Sequence, residues 1–339
     1  MTQTAILQKQ SQTFAYTDLG YPINYEIDIT NGKGVDHIDL EVLVTPVGTG
    51  TFTLEKRSPF GIISSIIIND GSETLGTYTA SELMLLHYLT QKSSPAQNLM
   101  TNASGNWKPV ASATDVTTGT SLVGTISLPI RISKNHPVNK LTMTITLSGL
   151  DGSTGILGVG NFSTAISGAS GSFTADVIYD DSVLENWYSH VAPYTGISTQ
   201  YSTFNTLNGA NIRYVLIYDS GYWNTQGAAT NPEWLFDSVQ FQETASYTPI
   251  TMNRFLNRQY MQNLLDLDPD FVLCDTTSLA YDFFYIVLPD KKMNPDSYFA
   301  LKADSSVNVR VVQIEIKNDA PQKAALSPVG PFSLLNKLR

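Results

Sequence analysis

The side chains best able to do chemistry are few and scattered. The four histidines are His37, His87, His136 and His190. None stands in an HExxH pattern or at metal-ligand spacing from another, which favours packed or surface imidazoles over ligands. Asp266-Leu267-Asp268-Pro269-Asp270 alternates carboxylates as a calcium loop does. Phe271 and Thr277 stand where an EF-hand needs Gly and Glu, and Pro269 restricts the turn, so a solvated loop is the better reading. Gly155-Ile156-Leu157-Gly158-Val159-Gly160 lacks the dinucleotide order and the P-loop lysine. In Gly168-Ala169-Ser170-Gly171 the second glycine comes one residue early for a nucleophile elbow. Asp180, Asp181 and Glu185 could supply paired carboxylates for glycoside hydrolysis, but adjacent acids at a strand end are more often a turn. Asn102-Ala103-Ser104 and Asn161-Phe162-Ser163 are glycosylation sequons that matter only on a secretory route. The single cysteine, Cys274, excludes an internal disulfide framework and a cysteine-based zinc site. No catalytic, cofactor-binding or metal-binding residue is therefore assigned, no cofactor is expected, and the chain reads as non-enzymatic.

Aromatic residues gather at Trp187-Tyr188 and at Tyr218, Tyr222, Trp223 and Trp234. Such residues stack on sugars, seal subunit interfaces or fill cores. Residues 320–339 carry Lys323, Lys337 and Arg339, three prolines and no acid. They read as a terminal tail, either disordered or an arm for a neighbouring subunit or anionic lipid. Ala5-Ile6-Leu7 marks a similar N-terminal arm.

The elements that would position these residues are mostly strands. The chain has 339 residues, room for about two domains. Only 15% of residues are charged, 42% are hydrophobic, and the net charge is -10, which argues against a general nucleic-acid coat. Residues 1–20 contain one basic residue, Lys9, and no apolar run of signal-peptide length. No stretch reaches the length of an apolar spanning helix. The expectation is a soluble protein made in a cytoplasm.

Period-two alternation predicts strands over residues 21–29, 38–44 and 141–147. Further strands are expected at 62–68, ending at the turn Asn69-Asp70-Gly71, and at 123–132 and 172–179. The second half offers 212–218, 235–242, 271–274, 281–288 and 307–316. Thr79-Ala80-Ser81-Glu82 is a capping box that opens a helix. A second helix is predicted at 251–265 and a short third at 182–190. Residues 91–120, 149–171 and 220–232 read as long loops.

The halves repeat weakly. Ile38-Asp39-Leu40 answers Ile212-Arg213-Tyr214, Ser65-Ile66 answers Ser238-Val239, and Thr79 answers Thr251. Leu128-Pro129 answers Leu288-Pro289, and Pro137 answers Pro295. Residues 1–180 and 181–339 each carry a net charge of -5. The competing reading is chance similarity between two β-rich halves; agreement in order favours a duplicated domain.

The run from Pro59-Phe60-Gly61-Ile62 to Asn69-Asp70-Gly71 leads into Tyr78-Thr79-Ala80-Ser81-Glu82-Leu83. With Leu288-Pro289, Asn294-Pro295, Tyr298-Phe299-Ala300-Leu301 and Val307-Asn308-Val309, it resembles the double jelly-roll major capsid proteins of the tectivirus, corticovirus and adenovirus lineage. The resemblance covers roughly residues 20–318 in pattern and order, without an invariant signature. It implies an all-β fold of two tandem eight-stranded jelly rolls, each with a short helix after its middle strands. The expected organisation is an N-terminal arm over 1–19, a first roll over 20–181, a connector and second roll over 182–318, and a tail over 319–339. It further implies pseudo-hexameric homotrimers in an icosahedral virus or bacteriophage shell. Implied partners are neighbouring capsomers, minor capsid or penton proteins, and an internal viral membrane reached through the terminal arms. Sequence-specific nucleic-acid binding is not expected. The location implied is the virion, after synthesis in a host cytoplasm. The alternative is a β-sandwich lectin-like or receptor-binding spike protein, and a β-sandwich glycoside hydrolase ranks last.

Overall fold

Alternating apolar side chains set the layers. In Val35–Gly48 the side chains of Ile38, Leu40, Val42 and Val44 are buried while those between them are half-exposed. Lys140–Leu147 buries Leu141, Met143, Ile145 and Leu147 and turns Thr142, Thr144 and Thr146 outward. Each such strand needs a second apolar layer over one face.

The computed structural model describes residues 7–15, 22–28, 33–49, 51–53, 60–90, 101–102, 105–106, 115–117, 119–136, 140–147, 166–219, 236–244, 248–253, 256, 283–288, 292–303 and 306–318. The chain divides into two units between Asn186 and Trp187. The first contains β1 (Leu7–Ala15), β2 (Pro22–Asp28), β3 (Val35–Gly48), β4 (Thr51–Thr53), β5 (Ile63–Asn69) and β6 (Thr74–Tyr78). Helix α1 (Ala80–Thr90) follows, then β7 (Thr101–Asn102), β8 (Gly105–Asn106), β9 (Asp115–Thr117), β10 (Leu122–Leu128), β11 (Lys140–Leu147) and β12 (Ile166–Tyr179). The second contains β13 (Glu185–Ile197), β14 (Ser202–Asn205), β15 (Ile212–Asp219), β16 (Phe236–Gln242), β17 (Ile250–Asn253), β18 (Phe283–Val287), β19 (Tyr298–Ala303) and β20 (Val307–Asn318).

The first unit has sheets ordered β1-β12-β3-β10 and β2-β11-β5-β6, with β4-β9 and β7-β8 as small ribbons. The second has β13-β20-β15-β18 and β14-β19-β16-β17. Setting the ribbons aside, the order is the same in both. The first strand lies beside the eighth, the eighth beside the third and the third beside the sixth. The other sheet runs second, seventh, fourth, fifth. This is an eight-stranded jelly roll made twice. Two of the repeated pairs occupy equivalent places: Ile38 lies in β3 and Ile212 in β15, Ser65 in β5 and Ser238 in β16, whereas Thr79 caps α1 and Thr251 lies within β17.

In the first roll, the buried Tyr25 hydroxyl of β2 donates to the Phe173 carbonyl of β12 at 2.9 Å and ties one sheet to the other. In the second, Phe299 stacks on Phe204 at 5.6 Å between centroids and packs on Phe241 at 4.9 Å. Each large side chain so buried contributes about 1.5–3 kcal/mol. At Gly171 a Cβ would overlap the Leu43 carbonyl, so only glycine lets β12 lie this close to β3.

Four expectations need correction. Leu7–Ala15, assigned to an arm, pairs along its whole length with β12 as β1. Its polar composition hid a strand whose backbone pairing is supplied from more than 150 residues away. Residues 182–190 are no helix: β13 starts at Glu185 and lies beside β20. There Glu185 and Asn186 are engaged by Arg131 and by the Ser133 amide, and pairing with β20 overrides the helical spacing. The helix at 251–265 begins later than expected, because Ile250–Asn253 pairs with β16 as β17. Asn253 Oδ1 then accepts the Leu256 amide at 2.9 Å, the bond of an N-cap. Leu256 is helical, and the rest of that prediction lies outside the described residues. The strand expected at 172–179 is longer, starting at Ile166 inside the segment read as loop. The strand expected at 271–274 lies outside the described residues.

Candidate functional site

A cluster of charged side chains lies where β3 begins, where β10 ends and where the chain passes into β13. Arg131 donates through Nη2 to Asp36 and through Nη1 to Glu185, each at 2.7 Å. Asp36 Oδ2 meets His37 Nδ1 at 2.9 Å, and His37 Nε2 lies 3.6 Å from Asp39 Oδ1. The same Asp39 oxygen accepts the Ser127 hydroxyl from β10. The Ser127 amide donates to His87 Nδ1 of α1 at 2.9 Å. β10 is the edge of its sheet, so the helix covers an amide that would otherwise face outward.

The cluster is electrostatically closed. The hydrogen bond from His37 outweighs burial and, with Arg131, holds the Asp36 carboxyl down at about 2. Burial pulls the His37 imidazole down, but Asp36 and Asp39 overcome it and push it up to about 9. Burial pushes Asp39 up, yet His37 and Ser127 hold it below the usual carboxylate range. Arg131 is likewise raised, as Glu185 and Asp36 outweigh its burial. Ser127 donates to a carboxylate, and His37 meets that carboxylate rather than the hydroxyl. A base therefore does not face the serine, and the arrangement fixes charges instead of activating a nucleophile.

The remaining histidines follow the same pattern. His136 Nε2 lies 3.1 Å from Asp70 Oδ2, and His190 Nε2 lies 2.9 Å from Glu315 Oε2 in the second roll. Asp180, Asp181 and Glu185 do not converge: Asp180 accepts the Ser182 amide, Asp181 pairs with Lys33, and Glu185 pairs with Arg131. Gly168 to Gly171 lie within β12. Trp187, Tyr188 and Tyr218 are buried, which favours packing over sugar stacking. Trp187 meets Tyr214 at 5.3 Å, and Lys317 Nζ lies 3.9 Å above the Tyr188 ring. Asn102 lies in β7. Tyr222, Trp223, Trp234, Asn161, 155–160, 266–270 and Cys274 lie outside the described residues. Among the described residues no group of three His, Cys, Asp or Glu is placed to hold a metal ion.

The sequence singles out the histidines for chemistry but not Asp36 or Arg131, and it marks Asp39 and Asp70 only as members of a strand and a turn.

With no chemistry assembled at the cluster, the twofold use of one strand order is the informative feature. The crystal structure of the major capsid protein of Sulfolobus Turreted Icosahedral Virus superposes with a TM-score of 0.64 at 15% identity, covering 95% of this chain and 100% of that one. The chain is a double jelly roll. The fold extends to the PBCV-1 virus capsid, with a TM-score of 0.59 at 10% identity over 93% of this chain and 94% of that one. It also matches PBCV-1 VP54 as fitted into a reconstruction of the virophage Sputnik, with a TM-score of 0.56 at 11% identity over 95% and 98%. No protein-family model and no curated protein matches the chain. In the double jelly roll, the expected all-β architecture and its two eight-stranded units are both present.

Proposed function

We propose that this protein is a non-catalytic major capsid protein that builds an icosahedral shell from pseudo-hexameric homotrimers. One observation carries the reading: the likeness to a major capsid protein runs through both rolls, over 95% of this chain and all of the other. Two like rolls per subunit let three subunits present six similar units, which suits closed symmetric assembly. The polar cluster supports a structural role, since every charge described in it has a partner inside the fold.

The partners in this reading are further copies of the chain in the same and neighbouring capsomers. Minor capsid or penton proteins and an internal membrane complete it, the membrane being met through a terminal arm. The location is the virion, after synthesis in the host cytoplasm. The domain reading is an arm, two rolls and a tail, with Leu7–Ala15 counted into the first sheet.

Native mass measurement on the purified protein, with negative-stain imaging of the particles it forms, tests this. Trimers with a hexagonal outline are expected. A persistent monomer at high concentration overturns it, and glycan binding without particles would favour the lectin-like alternative.

A further inference from the structure

Each roll has one end of short turns. In the first roll that end comprises the start of β3, the β5–β6 turn, the segment after β10 and the passage from β12 to β13. Its residues are tied together. The Asp180 amide donates to the Gly34 carbonyl at 2.8 Å, and the Lys134 amide to the Val183 carbonyl at 3.1 Å. The Ser133 amide donates to Asn186 Oδ1 at 2.9 Å, and His136 reaches Asp70 in the β5–β6 turn. The carboxylates there (Asp36, Asp70, Glu73, Asp180, Asp181 and Glu185) outnumber the cations Lys33, His37, Arg131 and Lys134. The surface also exposes an apolar group: Leu184 is 41% exposed, among few large hydrophobic side chains so placed among the described residues. Beside it, the Asp181 side chain is 59% exposed.

The complement of this surface is in the chain itself. β20 ends at Asn318, at the short-turn end of the second roll. Beyond it, residues 320–339 carry Lys323, Lys337 and Arg339, no acid, and the apolar Phe332, Leu334, Leu335 and Leu338. Twenty extended residues reach at most about 70 Å. Opposite net charge steers the two surfaces together, and Leu184 gives the apolar side chains a foothold.

We propose that residues 320–339 of one copy dock on the Asp180–Glu185 surface of the first roll of a neighbouring copy. This rests on the shell reading and adds which surface receives the tail. A head-to-tail contact of this kind repeats identically at every interface of a closed ring.

The test uses the full chain in a Cys274→Ser background. One preparation carries Leu184→Cys and another Leu335→Cys; they are mixed during assembly and exposed to a mild oxidant. Disulfide-linked pairs of unlike chains are expected. Asp181→Lys, or salt near 0.5 M where screening acts within about 5 Å, should lower their yield several-fold. Trimers by native mass without mixed pairs overturn this inference alone. A link found only in a chain carrying both cysteines overturns it too, because the tail then folds back on itself. Tail-dependent flotation with phosphatidylglycerol vesicles, in place of the cross-link, assigns the tail to lipid and also overturns it. A monomer by native mass removes the shell reading and this inference together.

Discussion

The His136 imidazole meets the Asp70 carboxylate at 3.1 Å, with side chains only 8% and 2% exposed. The other oxygen of Asp70 accepts the Ser72 amide and hydroxyl, each at 2.8 Å, and the Glu73 amide at 2.7 Å. One carboxylate thus closes the β5–β6 turn and ties it to the segment before β11. Burial pushes Asp70 up, but these donors overcome it and hold the carboxyl below its ordinary range. Its stabilisation is present above the unfolded value near 4 and is lost as pH falls through the lower folded one. Asp70→Ala should cost about 2–4 kcal/mol, read by denaturant unfolding at pH 7. A loss below about 0.5 kcal/mol would show that the turn holds without it.

His37 predicts the opposite limb of the pH profile. Its folded pKa of about 9 lies above the ordinary imidazole value. Its contribution is complete below about pH 6.5 and is lost as pH rises through 9. Thermal melting between pH 6 and pH 10 should show this alkaline loss, and His37→Gln should flatten it. An unchanged slope in the variant would remove His37 as the cause.

Phe299 is the central ring of the second core. Phe299→Ala removes its contacts with Phe204 and Phe241 and should cost about 3–5 kcal/mol. Calorimetry should show the lower melting temperature, and Phe299→Leu should recover part of it.

Gly171→Ala places a methyl group against the Leu43 carbonyl, where backbone must move. A loss of about 2 kcal/mol or more is expected. Gly71→Ala makes a useful contrast: its φ of +92° strains alanine, but the added Cβ meets nothing within 4 Å. Its cost should be smaller, about 1 kcal/mol, on the same denaturant assay.

Much of the first roll can be read along the chain because its evidence is local. The alternation in β3 and β11 survives as alternating burial. The capping box is real: Glu82 Oε2 accepts the Thr79 amide at 2.7 Å, and Thr79 Oγ1 accepts the Glu82 amide at 3.4 Å. β1 and β13 were not legible, because their pairing comes from β12 and β20 far along the chain. The charged cluster was illegible for the same reason. Asp39 meets Ser127 only through the β3–β10 register, and Arg131 meets Glu185 across 54 residues. No spacing within one segment encodes such pairs.

The position of the eighth strand has a consequence for synthesis. In each roll it lies between the first and third strands, so the sheet cannot close until that strand has been made. On the ribosome the first roll must wait with an open slot until Tyr179 has emerged. It then has on the order of ten to thirty seconds to close while the remaining chain is translated. Until then β1 and β3 lack the neighbour that separates them, and another nascent chain can offer the same strand. The most hazardous interval thus falls before release, and slowing translation just after residue 179 should raise the soluble yield.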